Sequence, residues 1–241
     1  MDRIENQIYT KNKMRISKHP QGGPEWKAER KGIPTGSEFA AFMVEQKTAT
    51  AKNALTKYLC GKLTDAMEND AWEQEAEDKS EMFMDRDPWV QRGKALEPIA
   101  RQRLSEILGT EIVETGLIFH ESEGFAASPD GLVVGGDAWV AGCEIKCHNR
   151  KRHLLDVLAG VLPEDHKYQV HGCMVVTGLR KWHYFGFHPT QPHLHVVVEW
   201  DDFTDRLEAG LLNLAAEKAK MKRVLADKWQ SAFAGTAEVE P

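Results

Sequence analysis

Cysteine is scarce: the 241 residues hold four, at positions 60, 143, 147 and 173. Cys143 and Cys147, with His148 behind them, resemble half of a zinc ligand set. A C-x₃-C pair without a second pair of ligands does not close a structural zinc site, so reduced, mostly buried thiols are expected. Long apolar runs are also missing. No window approaches the ~18 consecutive apolar residues of a membrane span. The first residues are polar and charged and lack the apolar stretch of a signal peptide, so a cytoplasmic location is expected. An excess of positive charge is the third absence: 31 Lys and Arg stand against 37 Asp and Glu, a net charge of −6. That excludes a uniformly basic nucleic-acid binder. It leaves room for a local basic site, since phosphate contacts depend on local and not total charge. No internal repeat appears.

What is there is a chain 41% hydrophobic and 28% charged, long enough for one sizeable core. The acid is unevenly placed. Thr64 to Glu81 carries eight acidic residues and one lysine, the pattern of a solvated face or loop, and it should point away from any anionic partner. Residues 1–20 show no periodicity and read as a loosely held arm. Residues 21–230 read as one domain, and residues 231–241 as a disordered tail.

Taken in order, Pro24 to Arg30 forms a short helix with proline in its first turn. Thr35 or Ser37 then caps a second helix through Phe39, Ala40, Phe42 and Met43. Lys47 to Gly61 is helical. Pro88 to Leu108 is a long amphipathic helix with Val90, Ala95, Leu96, Ile99, Leu104 and Leu108 at core spacing, stopped by Gly109 and open to a kink at Pro98. Strands are expected at Glu111–Val113, Leu117–His120, Lys181–Phe187 and His195–Trp200. Helices are expected at Glu164–Val176 and Asp201–Trp229. This order fits an α/β fold with a mixed central β-sheet flanked by helices.

The chemistry concentrates between Phe125 and Cys147, FAASPDGLVVGGDAWVAGCEIKC. Apolar runs on either side of Gly135-Gly136 predict a β-hairpin. Asp130 begins its first strand, and Glu144 and Lys146 end its second. The two ends of a hairpin lie side by side, and residues two apart on a strand share a face. Two carboxylates and a lysine therefore meet at one sheet edge. Carboxylate oxygens suit Mg²⁺, which takes one or two of them and leaves the rest of its shell to water and phosphate. Such a site can activate water and neutralise charge on a phosphodiester, with Lys146 orienting or deprotonating the water. The plain alternative is a surface hairpin with an incidental Glu144–Lys146 salt bridge.

Asp130…Glu144-Ile145-Lys146 resembles the PD-(D/E)xK nuclease motif, with Pro129-Asp130 present literally. The fuller pattern resembles the phage lambda exonuclease (YqaJ-type) family of recombination nucleases. It is carried by Trp26–Gly32 with Thr35–Glu38, by Arg92–Glu97, by Ser128–Gly131, and by Gln169-Val170, in the family's order over about residues 24–200. The resemblance implies a restriction-endonuclease-like core and a catalytic set of Asp130, Glu144, Lys146, Glu97 and Gln169. It implies metal binding at Asp130, Glu144 and Ile145, and a terminal 5′-phosphate held by Arg30, Ser37 and Ser128. Read without it, Ser37 is an N-cap and Glu97 an i, i+4 partner for Arg101. His166 and His171 read as packing or surface histidines. The cluster His148-Asn149-Arg150-Lys151-Arg152-His153 is either a backbone-phosphate contact, through Arg150, Lys151 and Arg152, or a solvated patch.

The family resemblance further implies a 5′→3′ exonuclease on linear double-stranded DNA ends. Mg²⁺ is the expected cofactor, two ions per site, with Mn²⁺ as a substitute. The expected assembly is a homotrimer ring working with a single-strand annealing protein, in a bacterial host cell as a phage or prophage protein. The residues alone equally suit a PD-(D/E)xK endonuclease, and a catalytically idle DNA-binding module is the reading from another class.

Overall fold

A computed structural model describes residues 9–10, 15–42, 49–65 and 87–233. The acidic stretch beyond residue 65 and the tail beyond residue 233 lie outside the described residues, as does Met43.

The central sheet has the strand order β3-β6-β7-β8-β9. Its members are β3 (Ile112–Val113), β6 (Gly131–Gly135), β7 (Ala138–Lys146), β8 (Lys181–Gly186) and β9 (Leu194–Glu199). β7 and β8 run parallel and the other pairs antiparallel, so the sheet is mixed as expected. β1 (Tyr9–Thr10) pairs with β7 at Trp139 and Ala138. A second small sheet joins β2 (Arg15–Ile16), β4 (Ile118–Phe119) and β5 (Ala126–Ala127). Two short strands inside the stretch read as a loose arm thus add to sheets.

The β6–β7 hairpin turns through two residues, Gly136-Asp137. Gly136 has φ of +62°, the left-handed region that a tight hairpin needs and glycine supplies without strain. β7 has neighbours on both edges and is buried along almost its whole length, which is why Glu144 lies fully inside. A parallel β7–β8 pair needs a long crossover. Helices α4 (Arg150–Ala159) and α5 (Glu164–Thr177) provide it.

The other α-helices among the described residues are α1 (Pro24–Arg30), α2 (Ala49–Thr64), α3 (Pro88–Leu108) and α6 (Asp202–Phe233). α3 starts on Asp87, whose side chain accepts from Trp89 N at 2.7 Å, and runs on through Pro98. Its buried face is Ala100 and Leu104, and Ile99, expected inside, is 54% exposed. The helix expected after Thr35 is a 3-10 helix, Gly36–Phe42. α4 was not read from the sequence at all.

The main core joins Phe39, Val170, Met174, Trp182, Tyr184, Leu207 and Leu211. α5 is its axis, and Gly172 is where Phe39 seats: a Cβ there would meet Phe39 Cδ2 at 2.1 Å. That contact presses the 3-10 helix onto α5. A separate cluster of Ala100, Leu104, Cys143, Ile145 and Phe185 fixes α3 over the end of β7.

Candidate active site

Pairing of Gly131 with Cys143 sets Asp130 beside Glu144. Asp130 Oδ2 accepts from the Ile145 amide at 2.6 Å, and Lys146 Nζ donates to Glu144 Oε1. Glu97, reaching in from α3, feels the charges of Asp130 and Lys146. The hairpin ends and α3 therefore bring Asp130, Glu144, Lys146 and Glu97 together. Glu97 also pairs with Arg101 Nη2, the i, i+4 partner expected of it.

Burial governs the electrostatics. It raises the carboxyl of Asp130, with Lys146 and the Ile145 amide pulling the other way. Glu144 is raised by burial and by Asp130. Glu97 is pushed up to about 7 by burial and then by Asp130. Burial works against the charge on Lys146, but Glu144 and Asp130 outweigh it and hold the ammonium above its usual range. While both carboxylates are ionised and no cation stands between them, Lys146 is a hydrogen-bond donor and a fixed positive charge.

Three crowded carboxylates with too little positive charge are a setting that a cation relieves. Glu144 Oε2 is buried without a hydrogen-bond partner. Such an orphan is costly unless something absent from the protein fills it. All the donors are hard oxygens, the kind Mg²⁺ takes. The Ile145 side chain is buried in apolar surroundings, so only its main-chain carbonyl could join them. Among the described residues no three His, Cys, Asp or Glu form a ready cage.

The three residues expected to hold a phosphate also come together. Arg30 Nη2 donates to Thr35 Oγ1 at 2.6 Å and to Ser37 Oγ at 3.3 Å. The guanidinium stacks over Trp26 at 4.9 Å, and Trp26 Nε1 donates to Ser128 Oγ at 3.1 Å. Glu38 caps the start of the 3-10 helix: its Oε2 accepts from Thr35 N at 2.9 Å and from Thr35 Oγ1 at 3.1 Å. Lys62 Nζ pairs with Glu38 at 2.8 Å. Gln169 on α5 lies against Gly36, with 3.7 Å from its Cγ to a Cβ built there.

The basic cluster divides. Arg150 and Lys151 are exposed in the first turn of α4. Arg152 is taken up by Asp156 and Asp165, at 2.8 Å to each. His171 is a packing histidine, buried and bonded to Thr204 Oγ1 at 2.7 Å. All four cysteines are free thiols, Cys143 and Cys173 buried and Cys60 exposed.

Two residues named in the sequence make bonds to main-chain carbonyls that were not read from it. Arg101 ties Glu97 and Glu114 to the Asp130 carbonyl, at 2.7 Å from Nε. Arg92 ties the first turns of α3 to the carbonyls of Cys147 and His148, at 2.7 and 3.1 Å. Arg92 was visible only as part of a motif, and nothing in the spacing signals the reach of Arg101.

A mixed sheet flanked by helices, with paired carboxylates and a lysine at the end of one hairpin, defines a nuclease core of the restriction-endonuclease type. Residues 25–180 match the YqaJ-like viral recombinase domain, and the chain belongs to that family. Among solved structures it is similar to the alkaline exonuclease LHK-Exo from Laribacter hongkongensis, with 30% identity and a TM-score of 0.60 over 85% of this chain and 99% of that one. The complex of LHK-Exo with dAMP matches at 29% identity and a TM-score of 0.61 with the same coverage. No curated protein matches the sequence.

Proposed function

We propose that this nuclease is a Mg²⁺-dependent 5′→3′ exonuclease that shortens one strand of linear duplex DNA from its end. The observation that carries this reading is the continuity between two sites. Ser128, in the Arg30–Trp26–Ser37 cluster, stands two residues from Asp130 in the carboxylate cluster. An enzyme that cuts within a strand has no need of a pocket for a chain end beside its cleavage site. One that removes end residues does.

In this reading Arg30 grips the terminal 5′-phosphate with two donors, and Ser37 and Ser128 add hydroxyls. Asp130, Glu144 and the Ile145 carbonyl hold Mg²⁺, as two ions or with Mn²⁺ in its place. When bound, the ion supplies an acidified water and neutralises charge on the phosphate. Lys146 donates toward the non-bridging oxygens, where charge grows in the transition state. Gln169 orients the scissile phosphate, and Glu97 tunes the site from α3. Arg150 and Lys151 meet the backbone of the duplex. Residues 21–230 act as one nuclease domain, assembled as a homotrimer ring. It supplies 3′ strands to a single-strand annealing protein in the cytoplasm of a bacterial host.

The deciding experiment uses linear and covalently closed duplexes with Mg²⁺, and linear duplexes labelled at the 5′ or 3′ end. Loss of the 5′ label first, from linear DNA only, is the expected result. Cutting of the closed circle would make the protein an endonuclease, and no cutting of either would make it a binding module.

A further inference from the structure

Beside Lys146 lies a chain of side chains that the nuclease site leaves unused. Asp156 on α4 is buried, and Arg152 Nε donates to its Oδ1 at 2.8 Å. Its Oδ2 lies 2.9 Å from His148 Nδ1. His148 Nε2 lies 3.3 Å from His166 Nε2 on α5, and the two rings stack with centroids 5.2 Å apart. The other neighbour of His166 is Tyr184, stacked at 5.6 Å, whose Cα partner across the sheet is Glu144. We propose that Asp156, His148 and His166 form a proton relay that serves the phosphodiester site, with His166 Nδ1 as its accepting end.

The direction of the relay follows from hydrogen-bond chemistry. A carboxylate only accepts, so His148 carries its proton on Nδ1 and offers a lone pair at Nε2. His166 must then donate from Nε2, which leaves Nδ1 as a bare acceptor. Three residues further along α5 stands Gln169, and Tyr184, on which the His166 ring stacks, is the cross-strand neighbour of Glu144, so the ring lies on the carboxylate side of the sheet.

The step balances as follows and rests on the nuclease reading. As water attacks phosphorus, one of its O–H bonds breaks and the proton goes to His166 Nδ1. The proton on His166 Nε2 passes to His148 Nε2. His148 becomes an imidazolium held by Asp156. The P–O bond breaks, and the 3′-oxygen leaves with its electron pair and takes a proton from solvent. The relay returns its own proton to solvent afterwards.

Two rings serve better than one because their surroundings differ. His166 is faced by Lys146 from β7, by Tyr184 from β8, by His148 from the loop between β7 and α4, by Arg152 from α4, and by Asp165 with an oxygen at 4.0 Å. Burial, followed by Lys146, pushes it down to about 4, so it does not keep a positive charge. Passing the proton on moves that charge away from Lys146 to a ring beside a buried carboxylate.

The test is the single-turnover rate against pH on 5′-phosphorylated linear duplex in saturating Mg²⁺. His166→Gln is expected to lose on the order of a hundredfold and the acid limb of the profile, its rate then rising in proportion to hydroxide. His148→Gln is expected to lose less, with the acid limb moved to lower pH. An acid limb unchanged in His166→Gln overturns the relay, whether or not the rate falls, because packing alone would lower the rate without moving the limb. Independently of cleavage, ¹⁵N NMR of the wild-type protein is expected to show His148 protonated at Nδ1 and His166 at Nε2. The opposite tautomer at either ring overturns the relay. A wild-type protein that fails to cut linear duplex while showing these tautomers sinks the nuclease reading instead.

Discussion

Trp26 and Ser128, 102 positions apart in the chain, are joined by a 3.1 Å hydrogen bond from the indole to the hydroxyl. Through it the first helix is fixed to the residues that lead into Asp130. The stacked Arg30 guanidinium is held over the indole face by the same arrangement.

Arg30→Ala removes the two-pronged donor and leaves the indole–hydroxyl bond in place. The loss on 5′-phosphorylated ends is expected to be about 1.5–3 kcal/mol, the range for a hydrogen bond to a charged group. That is roughly ten- to hundredfold in initial rate. Ends carrying a 5′-hydroxyl should lose much less in the first turnover. Initial rates on matched duplexes decide it, and equal losses would make Arg30 a scaffold residue.

The carboxylates give a pH signature. A group whose pKa is raised by folding stabilises fully below its unfolded value and loses that contribution as pH rises through the folded value. For Glu97 the window runs from the ordinary 4.5 to about 7. In metal-free protein, the stability of wild type relative to Glu97→Gln should therefore fall as pH rises across that window. His166 and His183, both pushed down to about 4, act oppositely in overlapping pH and cancel in the comparison. Melting midpoints in EDTA measure the effect. A difference that grows with pH would contradict the assignment, and added Mg²⁺ should raise the midpoint of wild type.

Gly172 has no room for a methyl group against Phe39. Gly172→Ala is expected to destabilise by about 1–3 kcal/mol, the range for overpacking a well-filled core. For a chain of this size that lowers the melting midpoint by about 2–4 °C per kcal/mol. Urea unfolding with an unchanged slope and a lower midpoint is the expected record.

Arg150 and Lys151 are exposed, whereas Arg152 is held by two carboxylates. Neutralising Arg150 and Lys151 together should reduce the slope of log affinity against log salt by about 1.8, or 0.9 per phosphate contact. Arg152→Gln should leave that slope nearly unchanged. Binding in Ca²⁺ over a salt series separates them. A larger slope change from Arg152→Gln than from the double variant would reverse the placement.

The hairpin was legible because two signals coincide there, apolar runs of strand length and a glycine turn between them. Once it formed, Asp130, Glu144 and Lys146 had to meet. The cluster of Arg30, Ser37 and Ser128 was legible through the family resemblance, since Arg30 and Ser128 are far apart in the chain and no local period links them. α4 was hidden by its own charge. The dense basic run drew attention away from an Asn149 cap and a Gly160 stop, both of which stand in the sequence. The 3-10 form of residues 36–42 depends on contact with α5, which no local propensity contains. Two-residue strands such as β1, β2 and β5 are too short to show a period. The His148–His166 contact joins the loop after β7 to α5 and escaped for the same reason as the bond from Arg101 to the Asp130 carbonyl: it exists only once the chain has closed.

The seat of the 3-10 helix on α5 has a consequence for length. Phe39 is locked at Gly172 and Gly36 leans on Gln169, so the 3-10 helix that carries Ser37 and the face of α5 that carries Gln169 are joined by packed core. In an exonuclease built this way the increment removed per turnover is set by a rigid gauge. Salt, temperature and surface substitutions would alter how fast fragments appear while leaving their size uniform. A change in fragment size would have to begin in the core.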